Sequence, residues 1–262
     1  MNYHDIIPSP DEKPLDRLVD SYSHTSIFRT MAFIGDSLSS GEFETHVPGK
    51  KDGNYDFFEY SWGQFIARKN GIKAYNFSCG GMTAKGFVNG FADWHLMWNR
   101  DKACQAYVIA LGVNDVLNGG AEIGTADDVD VNDYCNNKPT FMGYYATIVS
   151  KYKEISHDAK FFFATLPDEG RSDSDKVEKI NKALYELADI FDNCYVIDLY
   201  KYGPKYDEEF KRQYYLYTHL SPAGYLFTAK MIDSYIDYII RHNPDDFKNV
   251  AFIGTGIEYK AN

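Results

Sequence analysis

Five short apolar or aromatic runs, at residues 30–35, 73–77, 106–111, 160–165 and 195–199, alternate with helix-like stretches at 62–69, 140–155, 175–191 and 222–241. Each run is bounded by polar or turn residues, the pattern of strands buried on both faces. Strand and helix in alternation imply parallel pairing through right-handed crossovers, hence a sheet with helices on both sides. In such sheets ligands bind beyond the carboxyl ends of the strands, near the point where strand order reverses. The 262 residues fit one α/β domain spanning residues 1–262, long enough to bury a sizeable core. Residues 1–25, with prolines, charges and little periodicity, read as a surface arm. Residues 243–262 read as a C-terminal tail in which 250–254 form a short strand or a packed segment.

Residues that carry chemistry stand just past three of these runs. The first run passes through Phe33 and Ile34 and stops at Gly35-Asp36-Ser37. The second leads into Asn76-Phe77-Ser78-Cys79-Gly80-Gly81, and the third ends at Gly112-Val113-Asn114-Asp115. A fourth block, His219-Leu220-Ser221-Pro222, opens the last helix, with Ser221 suited to the N-cap and Pro222 to the first turn. Each block alone is weak, because Gly, Asp, Asn and Ser also end strands and start helices for structural reasons. Together they supply a reaction. A serine hydroxyl needs a base, and an imidazole with an ordinary pKa of about 6.5 serves at neutral pH. Attack on an ester carbonyl places negative charge on its oxygen. The donors available to meet that charge are the amides of Ser37 and Gly81 and the side chain of Asn114.

In this order and context the blocks resemble the SGNH, or GDSL, family of serine hydrolases over about residues 29–242. The resemblance implies a three-layer α/β/α sandwich built on a flavodoxin-like, five-stranded parallel sheet of order 2-1-3-4-5. It implies Ser37 and His219 as catalytic residues, Ser37, Gly81 and Asn114 as the oxyanion hole, and no cofactor. One position departs from the family pattern: three residues before His219, where an aspartate usually orients the imidazole, stands Leu216. Three alternatives follow. A backbone carbonyl of the 215–217 segment holds the ring in a Ser-His dyad, a carboxylate from elsewhere such as Asp207, Glu208 or Glu209 replaces the aspartate, or the site binds without turnover.

A net charge of −11 and a pI near 5.1 argue against nucleic acid or an anionic membrane surface as partner. No apolar stretch approaches a membrane span and the N-terminus lacks a secretory pattern, so the expectation is a soluble, cytoplasmic protein. Cys79, Cys104, Cys135 and Cys194 lack paired spacing, which argues against zinc, and the acidic run 127–133 lacks the glycine and terminal glutamate of a calcium loop. Asp36, Tyr55, Trp94 and His95 are candidate substrate contacts, although aromatics at helical spacing also pack as core. The reading is a serine esterase removing a short acyl group, acetyl first, from a carbohydrate or small metabolite through an acyl-enzyme. A lipid acylhydrolase or thioesterase of the same family is one alternative. A non-catalytic binding protein, suggested by Leu216, is the other.

Overall fold

A computed structural model of the chain describes residues 7–170 and 172–260. Its strands are β1 (Thr30–Gly35), β2 (Glu42–Thr45), β3 (Gly53–Asp56), β4 (Lys73–Ser78), β5 (Ala106–Ala110), β6 (Lys160–Ala164), β7 (Cys194–Ile197), β8 (Tyr215–Leu216) and β9 (His219–Leu220). Five of them form one parallel sheet in the order β4-β1-β5-β6-β7. Numbered among themselves these are 2-1-3-4-5, so strand order reverses between β1 and β5.

Side-chain alternation in the strands creates the two helical layers, because neighbouring residues point to opposite faces of a sheet. Ala32 and Ile34 of β1, Tyr107 and Ile109 of β5, and Phe161 and Phe163 of β6 enter one core. That core is closed by Tyr145, Ile148 and Val149 of helix Phe141–Ile155 and by Ile180, Leu184 and Leu187 of helix Ser174–Ile190. Met31, Phe33, Val108 and Phe162 enter the other, closed by Trp62 and Ile66 of helix Trp62–Asn70 and by Tyr225, Ile232, Ile236 and Ile239 of helix Pro222–His242. The result is a three-layer α/β/α sandwich. Side-chain caps start three of these helices: Ser61, Thr140 and Ser221 accept from the amides of Gln64, Gly143 and Gly224.

The arm read at residues 1–25 includes residues 1–6, which lie outside the described residues. From residue 7 onward it runs against helix Pro222–His242, with Val19, Ser23 and Thr25 buried and the Val19 amide donating to Ser234 Oγ at 2.9 Å. The tail packs as well: its residues Val250–Phe252 form a 3-10 turn rather than a strand, and Arg29 and Gln105 donate to carbonyls of residues 250–253. Residues 261 and 262 lie outside the description. The acidic run folds as a capped loop in which Asp128 pairs with Lys138 at 2.8 Å and Asp130 accepts from the amides of Asn132 and Asp133. Among the described residues no helix is long and apolar enough to cross a membrane, and no group of three His, Cys, Asp or Glu side chains is placed to hold a metal ion.

Candidate active site

The register of the sheet aligns Gly35 with Ser78 on one side and Ala110 on the other, so β1, β4 and β5 stop together. The chain that follows each strand therefore meets at one edge. Asp36 caps the short helix Ser37–Ser40 by accepting from the Leu38 amide at 3.1 Å, which turns Ser37 out at the start of that helix. Gly81 adopts φ +73°, a left-handed conformation that suits glycine, and Asn114 lies in the turn Val113–Asn118. Ser37, Gly81, Asn114 and His219 line one cleft of about 580 Å³. The amides of Ser37 and Gly81 have no acceptor among the described residues. Asn114 turns its amide nitrogen toward Met82 O and Asp36 Oδ2, at 3.3 and 3.4 Å, while its oxygen accepts from Asn118.

His219 arrives from the other end of the chain on a hairpin. β8 and β9 pair antiparallel, with Leu216 opposite His219, and Tyr217 takes φ +68° to close the two-residue turn between them. Leu216 is exposed and offers the ring nothing polar. The acceptor on Nδ1 is Glu44 Oε1 at 2.9 Å, from β2, 175 positions away in the chain. The expectation of a backbone carbonyl from 215–217 is thus corrected. The carboxylate alternative holds in kind but not in place: Asp207 is the N-cap of helix Glu208–Tyr214, where its side chain accepts from the amides of Glu209 and Phe210. Glu44 is itself fixed by the Thr218 hydroxyl and by the Thr218 amide at 3.2 Å, and the hydroxyl contact, with His219, holds its carboxyl below the usual range.

A second carboxylate faces the other nitrogen. Glu42 Oε1 lies 3.3 Å from His219 Nε2 and accepts from Asn54 of β3 at 2.8 Å. Its other oxygen rests against Gly80, where any Cβ would collide with it. Burial pushes the Glu42 carboxyl up, against the pull of His219. Among the described residues no hydrogen bond joins Ser37 Oγ to His219, whose two ring nitrogens face Glu44 and Glu42.

Below the cleft, Asp115 accepts from the Ala84 amide at 2.8 Å and ties the Asn114 turn to the segment after Gly81. Burial pushes both Asp36 and Asp115 up to about 6. Tyr225 clamps the Ser37 loop from beneath, its hydroxyl donating to Glu42 O at 2.9 Å and Ser37 O at 3.4 Å. Of the candidate substrate contacts, Asp36 lines the cleft, but Tyr55, Trp94 and His95 do not. Tyr55 lies on the outer surface of β3, Trp94 is exposed over Gly90, and His95 meets the Phe91 ring at a tilt, with centroids 4.5 Å apart. Their places are taken by Asn118, Glu169, Lys211, Tyr217 and Thr218. Glu42 and Glu44 carried one sequence signal, the i, i+2 spacing that puts two strand residues on the same face.

Solved structures share this architecture at low identity. A G-D-S-L family protein from Desulfitobacterium hafniense DCB-2 is 17% identical with a TM-score of 0.53, covering 79% of this chain and 99% of its own. A family two carbohydrate esterase from Clostridium thermocellum is 16% identical with a TM-score of 0.56 over 88% of this chain and 67% of its own. A family 3 carbohydrate esterase from the same organism is 12% identical, with a TM-score of 0.51 over 81% and 97%. No curated protein matches the sequence. The model of the GDSL-like lipase/acylhydrolase family matches residues 33–226, from the strand that delivers Ser37 to the helix that follows His219. The chain is a member of that family.

Proposed function

We propose that the protein is a serine esterase that removes a short acyl group from a hydroxylated small molecule, using Ser37, His219 and Glu44 as a triad of unusual chain order. The observation that carries the reading is the 2.9 Å bond from His219 Nδ1 to Glu44. With the Nδ1 proton held by a carboxylate, Nε2 is the basic nitrogen and takes the proton of Ser37 Oγ as the oxygen attacks the ester carbonyl. Substrate-free hydrolases often show loose nucleophile geometry that tightens on binding, and Ser37 must close on Nε2 in this way. The amides of Ser37 and Gly81 and the Asn114 side chain meet the developing oxyanion, each such donor being worth roughly 3 kcal/mol. Nε2 then protonates the leaving alcohol, and water attacks the acyl-enzyme by the same route in reverse. Glu42 and Glu44 flank the imidazolium formed at each step and stabilise its charge.

The leaving group follows from the cleft wall. Asn118, Glu169, Lys211, Tyr217 and Thr218 offer donors and acceptors around an open space of sugar size, which suits a carbohydrate alcohol better than a lipid. The test uses the unmodified protein with p-nitrophenyl acetate and a fluorophosphonate. Turnover with a single adduct mapped to Ser37 is expected. Ligand binding without turnover or adduct would favour the non-catalytic alternative and overturn this reading.

A further inference from the structure

A second cavity, of about 80 Å³, opens beside the cleft at the carboxyl ends of β5 and β6. The two share Asp36, Leu38, Val113 and Glu169 as a common wall. Beyond Leu38 and Val113 the lining turns apolar, with Trp62, Ala110, Ala164, Leu166, Leu199 and Ile232. Some polar groups in its wall are engaged: Thr165 Oγ1 accepts from the Tyr200 amide at 3.1 Å, and Asp36 from Leu38. The buried Ser39 and Thr228 hydroxyls make no hydrogen bond among the described residues.

The position of this slot has a physical origin. It lies where the sheet ends and the two helical layers approach each other without strands between them, so its lining comes from both cores. Two small residues, Ala110 and Ala164, keep it open at the ends of adjacent strands. A close-packed interior rarely leaves a void larger than one water. An apolar cavity of about 150 Å³ takes a benzene ring, so one about half that size takes a chain of roughly two to four carbons.

We infer that this slot is the acyl pocket, and that the group transferred to Ser37 is a straight aliphatic acyl of about three to five carbons, centred on butyryl, rather than acetyl. The inference rests on the serine-esterase reading. With the carbonyl at Ser37 and its oxygen toward Gly81 and Asn114, the tail passes between Leu38 and Val113 into the slot, and the alcohol stays in the polar cleft. An acetyl group is too short to enter it, and a chain of eight carbons or more overfills it.

The experiment is a series of p-nitrophenyl esters from acetate to laurate, read as kcat/KM, with Ser37 labelling by a fluorophosphonate as control. One methylene in a fitted pocket is worth about 10-fold or more, so butyrate should exceed acetate by at least that factor and laurate should fall below both. Ala110→Leu and, independently, Ala164→Leu should collapse the butyrate-to-acetate ratio about tenfold while Ser37 labelling and the circular dichroism spectrum persist. Rates that fall steadily from acetate to butyrate, with Ser37 still labelled, overturn the slot and leave the esterase reading standing. A preference for octanoate or laurate, or for 3-hydroxybutyrate over butyrate through the Ser39 hydroxyl, overturns the aliphatic short-chain assignment. Absence of both turnover and labelling removes the esterase reading and the slot with it.

Discussion

Two groups of buried carboxylates sit on this molecule, and they are treated in opposite ways. Where the N-terminal arm crosses helix Pro222–His242, each carboxylate has a cation. Arg241 donates to Asp237 at 2.7 Å and to both oxygens of Glu12 at 2.8 Å, His24 approaches Asp237 at 2.7 Å, and Lys69 pairs with Asp233 at 2.9 Å. At the cleft edge Asp36, Asp115 and Glu42 are buried with amides and one imidazole for company. The acids respond accordingly. The Arg241 contact holds Glu12 below its usual range, and Asp237, despite burial, is held far below by His24 and Arg241, whereas burial drives Asp36, Asp115 and Glu42 upward. One face ties the arm to the body. The other leaves its carboxylates without a Lys or Arg partner beside the His219 imidazole, which in the proposed mechanism becomes a cation.

The largest effect that can break this contrast is at Ser37. Ser37→Ala should lower kcat by about 10⁴-fold or more with an unchanged melting temperature, because the proposed role of its hydroxyl is in the reaction and not in packing. Wild-type turnover in that variant would end the assignment. Glu44→Gln comes next. Losing the carboxylate behind Nδ1 costs up to about 10⁴ in kcat in other triads, and a loss of 10²-fold or more is expected here with little change in KM. A kcat within threefold of wild type would mean that Glu44 only decorates the ring.

Arg241→Met probes the arm face. It strands Asp237 and Glu12 without their main cation, and breaking a buried pair in this way destabilises by about 3–5 kcal/mol. Chemical denaturation should show that loss while kcat at 25 °C stays near wild type. Unchanged stability would mean that the arm contributes nothing.

A smaller effect lies in pH. Burial pushes the Asp115 carboxyl up to about 6 from its ordinary value near 4, so between those values the folded state alone holds the proton and its stability falls as pH rises. That difference corresponds to roughly 3 kcal/mol by pH 7. Asp115→Asn should therefore match the wild type near pH 4 and exceed it by up to that amount at pH 7. Asp237 and Glu12 carry the opposite sign: their stabilisation is present above the ordinary carboxylate range and lost as pH falls below about 4. If Asp115→Asn is less stable than wild type at pH 7, its hydrogen bond to Ala84 outweighs its desolvation. The smallest effect is at Leu216. Leu216→Asp should change kcat by less than about threefold while Glu44 occupies Nδ1, and a tenfold gain would show that position 216 competes for the ring.

Legibility differed between the sheet and the site. The runs around Phe33, Val108 and Phe162 announced themselves because a strand buried on both faces must be apolar throughout, and the structure finds all five sheet strands within two residues of their sequence bounds. The β2–β3 hairpin was harder. Its sequence, Glu42-Phe43-Glu44-Thr45 and Gly53-Asn54-Tyr55-Asp56, is mostly polar, and a lone two-stranded ribbon has little apolar surface to advertise it. Phe43 is its only buried apolar side chain, against Tyr225 and Phe57, beside the buried carboxylate Glu42. Trp94 and His95 failed as site residues for the converse reason: aromatics near a motif in sequence turn outward or into neighbouring rings once the helix is placed.

What the sequence by itself determined is what local pattern controls. It decided where the five strands of the main sheet lie and that Ser221 caps the last helix, and it placed Ser37, Gly81 and Asn114 past the ends of parallel strands, so that they share an edge. The partner of His219 was decided elsewhere. Glu44 reaches Nδ1, and Glu42 reaches Nε2, only because the hairpin after Ser37 folds back over the β8–β9 turn. That contact spans 175 positions, and no local propensity encodes it. A hydrogen bond depends on position to within a few tenths of an ångström, and that precision comes from the packing of Phe43, Tyr225 and Thr218 around the two hairpins.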